Sequence, residues 1–199
     1  MKSILRSSII VAALSLALTS QAATWTFDTA HSVVTFAVKH LMISTVRGNF
    51  ETFEGRVVFD ENNADTFSSE ATADAASVDT GIDKRDTHLK SADFFDVEKY
   101  PKLSFKSKQV KKIGDGRYTM TGDLTIRDVT KEVAFDVTGF NGTIKDPWGG
   151  TRTAATATAT INREDFGLLW NKVLEGGGVV VSNDVLITLD IELVKQPEN

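Results

Sequence analysis

Three histidines and a charged cluster are the residues whose types could do chemistry here: His31, His40 and His88, with Arg85, Asp86 and Asp93 around the last. Imidazole beside carboxylate would bind a metal or relay protons. His31 and His40 are nine apart with no carboxylate at ligand spacing, and Asp86 lies two residues from His88 on a segment that reads as helical, where residues so spaced face apart. A metal site is therefore not expected. Cysteine is absent, which removes thiolate ligands, disulfides and a cysteine nucleophile. No serine-hydrolase elbow, phosphate-cradling glycine loop or zinc-protease motif occurs. "DENNADTFSSEA" from Asp60 imitates the start of a calcium loop but lacks its central glycine and final glutamate. The expectation is a protein without catalysis and without a cofactor.

The elements that must position these groups are strands. Apolar residues alternate with polar ones through Trp25 and Phe27, through Val34, Phe36, Val38 and His40, and through Phe53, Gly55, Val57 and Phe59. The same period recurs at Ala71, Ala73 and Ala75, at Leu103 and Phe105, and from Tyr118 to Ile126. It continues at Val133, Phe135 and Val137, from Ala155 to Ile161, and from Val185 to Leu193. That makes about eight strands, with hairpin signals at Gly114-Asp115-Gly116 and Asn141-Gly142. Two stretches read as short helices. One opens on Thr80 with Asp83 as a weak capping box and runs to about Lys90; the other is capped by Asn162, with Phe166, Leu169, Trp170 and Val173 at helical spacing. The fold expected is all-β, an antiparallel barrel of eight strands with one or two short helices. Lys39, Lys102, Lys106, Asp123, Arg127 and Asp136 oppose the large apolar residues, so the outside faces water rather than lipid.

The first 22 residues read as a secretory leader. Lys2 and Arg6 precede an apolar run from Ile9 to Leu18, and Ser20-Gln21-Ala22 supplies the small residues of a cleavage site. Residues 23–199 would then form one exported barrel domain. Its formal charge of about −7, from 20 basic and 27 acidic residues, opposes unassisted binding to nucleic acid or to an anionic membrane surface. No later run is long enough for a stable membrane span.

"TRTAATATATIN", residues 151–162, builds a strand from alanine and threonine, although alanine brings little to a core. Ala155, Ala157 and Ala159 are in phase with Ile161 and belong inside, as do Ala71, Ala73 and Ala75 on a second strand. Two such walls either let a neighbour pack closely or leave a hollow for an oily chain, at roughly 0.8 kcal/mol per buried methylene. His40, on the face of Phe36 and Val38, is either a buried histidine satisfied by a hydrogen bond or a contact for a ligand head. Arg85 either caps the rim with Asp86 and Asp93 or meets an anionic or quinone head. Phe94, Phe95, Phe166 and Trp170 either cover the barrel mouth or belong to the core.

Four blocks, "FAVKHLMISTVRGNFETFEGRVVFD", "ASVDTGIDKRDTHLKSADFFDVEKYPKLSF", "GDLTIRDVTKEVAFDV" and "INREDFGLLWN", resemble in order and spacing the YceI-like family of lipocalin-like, polyisoprenoid-binding proteins. The resemblance implies a lipocalin-like extended barrel in the periplasm of a Gram-negative bacterium, holding a long isoprenoid quinone or prenyl phosphate. Asp128 departs from the glycine common at that turn, with little consequence expected. The residues expected to meet the ligand are Phe36, Val38, His40, Ala73, Arg85, Phe94, Phe95, Leu124, Phe135, Ala155, Ala157, Ala159, Phe166 and Trp170. The expected partner is a long-chain isoprenoid lipid, with a homodimer left open. The competing readings are a stress-related interaction module with a filled barrel, and an enzyme acting on such a lipid.

Overall fold

The computed structural model describes residues 22–60 and 63–197, so the expected leader lies, but for Ala22, outside the described residues. The chain runs through β1 (Ala23–Phe27), β2 (Val33–His40), β3 (Ser44–Phe50), β4 (Phe53–Asp60), β5 (Asn63–Asp74) and β6 (Val78–Asp79). Helix α1 (Asp83–Lys90) follows, then β7 (Lys102–Gly114), β8 (Arg117–Ile126), β9 (Val129–Gly139), β10 (Ile144–Lys145), β11 (Thr151–Asn162) and β12 (Val181–Lys195).

Strand β12 organises the circuit. Its 15 residues span roughly 50 Å at the rise of a strand. One border pairs with β11; the other pairs with β2 along Val181–Asp190 and then with β1 along Leu193–Lys195. Strand β1 pairs in turn with β4, and β2 with β3. Thus β1 with β2, and β3 with β4, are two broken staves. With β5, β7, β8, β9, β11 and β12 they close an eight-stave antiparallel barrel, as the alternation predicts. Period two holds most cleanly in β8, where Tyr118, Met120, Leu124 and Ile126 are buried and Thr119, Thr121, Asp123 and Thr125 are less so. One face makes core because the pleat sends alternate side chains inward.

The first expected helix forms and ends at Lys90 as read, but its capping box does not; the second helix does not form. Helix α1 begins at Ile82 without a side-chain cap. Thr80 instead donates from its amide and hydroxyl to Asp86, while Arg85 donates to the Thr80 hydroxyl (2.7 Å) and carbonyl (2.8 Å). Asn162 does cap its segment, accepting from the Glu164 amide at 2.9 Å, but only a 3-10 turn, Arg163–Phe166, results. Gly167, at φ +76°, ends it in the left-handed region that favours glycine. Leu169 and Val173, expected on the helix's apolar face, are therefore exposed, and Leu168 enters the core. At the turn between β8 and β9 the positive φ falls on Arg127 (58°) and not on Asp128, so aspartate there meets no strain.

Candidate functional site

The inward faces do not fill the barrel. They enclose a chamber of about 400 Å³, within the roughly 300–1,000 Å³ of ligand pockets. Its wall is aliphatic and aromatic for most of its length. Glycines set two of its rings. A Cβ on Gly48 would lie 2.5 Å from the ring of Phe36, and one on Gly55 would lie 2.4 Å from that of Phe27, so each ring lies across a position with no side chain.

Aromatic rings pack together at one end. Trp25 stacks on Phe59 with ring centroids 4.8 Å apart, and Phe140 meets Phe59 at 4.8 Å and Phe67 at 5.0 Å. Trp25 is fully buried behind them. The other end carries α1, the β2–β3 hairpin and the segment after β11. There the chamber's basic groups gather: His40, Arg85, His88 and Arg163.

Twelve of the fourteen expected residues line this chamber: Phe36, Val38, His40, Ala73, Arg85, Phe94, Phe95, Leu124, Phe135, Ala155, Ala157 and Trp170. Ala159 and Phe166 do not. Ala159 is packed among Tyr118, Met120, Phe135 and Val137, and Phe166, 1% exposed, is a core residue of the 3-10 turn. The alanine strand therefore serves both ends proposed for it. Ala155 and Ala157 border open space; Ala159 admits its neighbours. Ala155 also sits against Gly139, whose Cβ would approach its Cα to 2.5 Å.

Arg163 was not among the expected residues, although it continues the inward parity of Ala157, Ala159 and Ile161. It is 3% exposed. Its guanidinium donates to the carbonyls of Ser182 (3.0 Å) and Leu168 and to Asn183 Oδ1 (3.3 Å), with no carboxylate in ion-pair range among the described residues. Burial lowers its pKa from the usual arginine value. The result is a positive group fixed at one end of an apolar chamber. Arg85 adds a second, half-buried, its Nε and one Nη spent on Thr80. The His40 ring makes no hydrogen bond among the described residues, which leaves it available to a ligand.

His88 has a partner the sequence reading passed over. Its Nε2 lies 2.8 Å from Asp93 Oδ2, and its ring meets Trp170 (4.8 Å) and Phe94 (5.0 Å) edge to face. The chain's turn after α1 makes this pair, which no fixed spacing signals. Ser91 Oγ donates to the His88 carbonyl at 2.7 Å, not to its ring. His31 likewise finds Asp28, three residues before it, at 2.9 Å. Asp28, His31 and Glu192 bring ligand atoms within 4.8 Å of one another, but Arg152 stands among them as the cation, donating to Asp28, to Glu192 at 2.5 Å and to Asp146 at 2.6 Å.

Relatives match both the sequence and the fold. UPF0312 proteins of Staphylococcus aureus strains N315 and MW2 are 43% identical over 162 residues, 81% of this chain and 91% of theirs. The YCEI protein of Campylobacter jejuni superposes with TM-score 0.69 at 32% identity, covering 86% of this chain and 96% of that one. BcnA of Burkholderia cenocepacia gives TM-score 0.71 at 26% identity, over 83% and 98%. A polyisoprenoid binding domain from Saccharophagus degradans shares the fold, with TM-score 0.60 at 14% identity over 86% and 98%. The YceI-like domain model matches residues 25–193, nearly every stave of the barrel, and the chain belongs to that family.

Proposed function

We propose that the protein is a periplasmic carrier for a long-chain isoprenoid lipid, a quinone or a prenyl phosphate, with its tail in the chamber and its head toward α1. The observation that carries this is the polarity of the hollow: apolar along the wall, stopped by aromatics at one end, and basic at Arg163, Arg85, His40 and His88 at the other. An oily chain gains from leaving water along such a wall. An electron-rich head gains from the buried guanidinium, whose field is screened little there. The fold is shared with a domain described as polyisoprenoid binding, which agrees with this reading. Binding without covalent chemistry suits a site whose nearby Ser91 hydroxyl donates to the His88 carbonyl and not to the ring of the histidine–aspartate pair.

Organic extraction of protein purified without detergent, followed by mass spectrometry, should recover a long-chain isoprenoid. Repeated recovery of nothing would overturn the proposal. Osmotic-shock fractionation of cells expressing the full chain should release it with periplasmic markers; retention in spheroplasts would remove that part.

A further inference from the structure

The β2–β3 hairpin turns on two large apolar residues where a hairpin ordinarily uses Asn-Gly. Leu41 (φ 52°) and Met42 (φ 62°) both occupy the left-handed region, and the Ile43 amide donates to the His40 carbonyl at 3.1 Å to close the turn. Two consecutive positive φ values define the turn type that favours Asn and Gly, and side chains such as these adopt it against their preference. The strain presents apolar surface to solvent. Met42 is 56% exposed and Ile43 82%.

The tip does not stand alone. The Leu41 amide donates to the Val180 carbonyl at 2.8 Å, tying the hairpin to the loop after β11, which itself exposes Leu169 (66%) and Val173 (82%). Val38 and His40, leading into the tip, line the chamber. Charge points the same way. From Thr29 to Phe50 the chain carries Lys39 and Arg47 and no carboxylate, in a protein with 27 acidic and 22 basic residues. Lys39 bonds to Thr45 (3.0 Å), and neither base forms an ion pair among the described residues. The adjoining segment after β11 carries Lys172 and the buried Arg163 against Glu164, Asp165 and Glu175, so the basic character belongs to the hairpin and not to its neighbour.

We infer that this hairpin tip docks the chamber mouth onto a bilayer containing anionic phospholipid, with Met42 and Ile43 entering the headgroup boundary and Lys39 and Arg47 meeting phosphates. The inference rests on the carrier reading, because an apolar cargo enters or leaves without crossing water only where the mouth abuts lipid. Docking of this kind is peripheral: no described helix is long and apolar enough to span a membrane.

Flotation with vesicles of phosphatidylethanolamine and phosphatidylglycerol tests it. The wild-type protein should rise with these vesicles, less so at high salt and less so with phosphatidylcholine alone. A Leu41→Asn/Met42→Gly/Ile43→Thr variant, whose turn chemistry suits the backbone, should keep its fold and its extractable lipid. It should lose vesicle partitioning by about tenfold or more. Lys39→Gln/Arg47→Gln should lose chiefly the preference for anionic vesicles. Wild-type protein that never floats, or a tip variant that floats equally well, overturns the docking surface. Extraction from the same preparations is read separately, so an empty chamber counts against the carrier reading and a filled one without flotation against docking alone.

Discussion

Phe36 lies across Gly48 so closely that a Cβ at position 48 would stand 2.5 Å from its ring. The missing side chain on β3 is what lets the β2 ring occupy the chamber wall beside Phe50, at a centroid distance of 5.9 Å. Gly48→Ala is expected to displace the ring and to destabilise the fold by about 1–3 kcal/mol through overpacking. Urea unfolding measures this. Phe36→Leu in the same chain should recover part of the loss, and strictly additive effects would show that the two positions do not touch.

Ala157→Phe addresses the hollow itself. Ala157 borders the chamber, so a phenyl ring can enter it without displacing packed atoms. Stability is expected to stay within about 1 kcal/mol of wild type while extractable lipid is lost. The same substitution at Ala159, packed among Tyr118, Met120 and Phe135, should cost about 1–3 kcal/mol. Equal behaviour at the two sites would refute the division of the alanine strand.

Arg163→Met removes a donor on which two carbonyls and Asn183 depend. Leaving buried acceptors unpaired is expected to cost about 2–4 kcal/mol in urea unfolding. Arg163→Lys keeps the charge but not the fork and should fall between. Arg85→Gln, at a half-buried site, should leave stability nearly unchanged and weaken retention of an anionic lipid more than of a quinone, read by competition between the two.

Acid should loosen the join between β1, β11 and β12. Arg152, and then His31, hold the Asp28 carboxyl from 3.8 down to about 2; Asp146 is also held below the usual carboxylate range, first by Arg152. A carboxyl depressed in the folded state stabilises it above the ordinary value, and that contribution disappears as pH falls through 3.8 toward about 2. Urea midpoints should drop over that interval. Arg152→Gln should flatten the slope and lower neutral-pH stability, by less than an unscreened pair would at this partly wetted site. An unchanged slope would show that other carboxylates govern acid unfolding.

The inward faces were legible in the sequence because a strand's period of two is set by the pleat and survives whatever packs outside it. Tyr118 to Ile126 and Val185 to Leu193 line up inward as their alternation predicts. Contacts made by chain reversal were not legible. The His88–Asp93 pair depends on the turn after α1, and the interrupted stave of β1 and β2 depends on the reach of β12. The second helix failed for a local reason, since Gly167 outweighs the apolar spacing beyond it. The left-handed backbone at Leu41 and Met42 runs against their residue types and had no sequence signal.

Phe67 and Phe140, which line the chamber and are backed by Phe59 and Trp25, turn the barrel from a pipe into a gauge. A tail that threads a pipe can be of any length, whereas one that meets a stop is measured by it. On the carrier proposal, prenyl chains up to the depth of the bore would be sheltered entirely, and each further unit would leave carbon in water. Retention should therefore rise with chain length and then level off, a discrimination that needs no contact with the head at all.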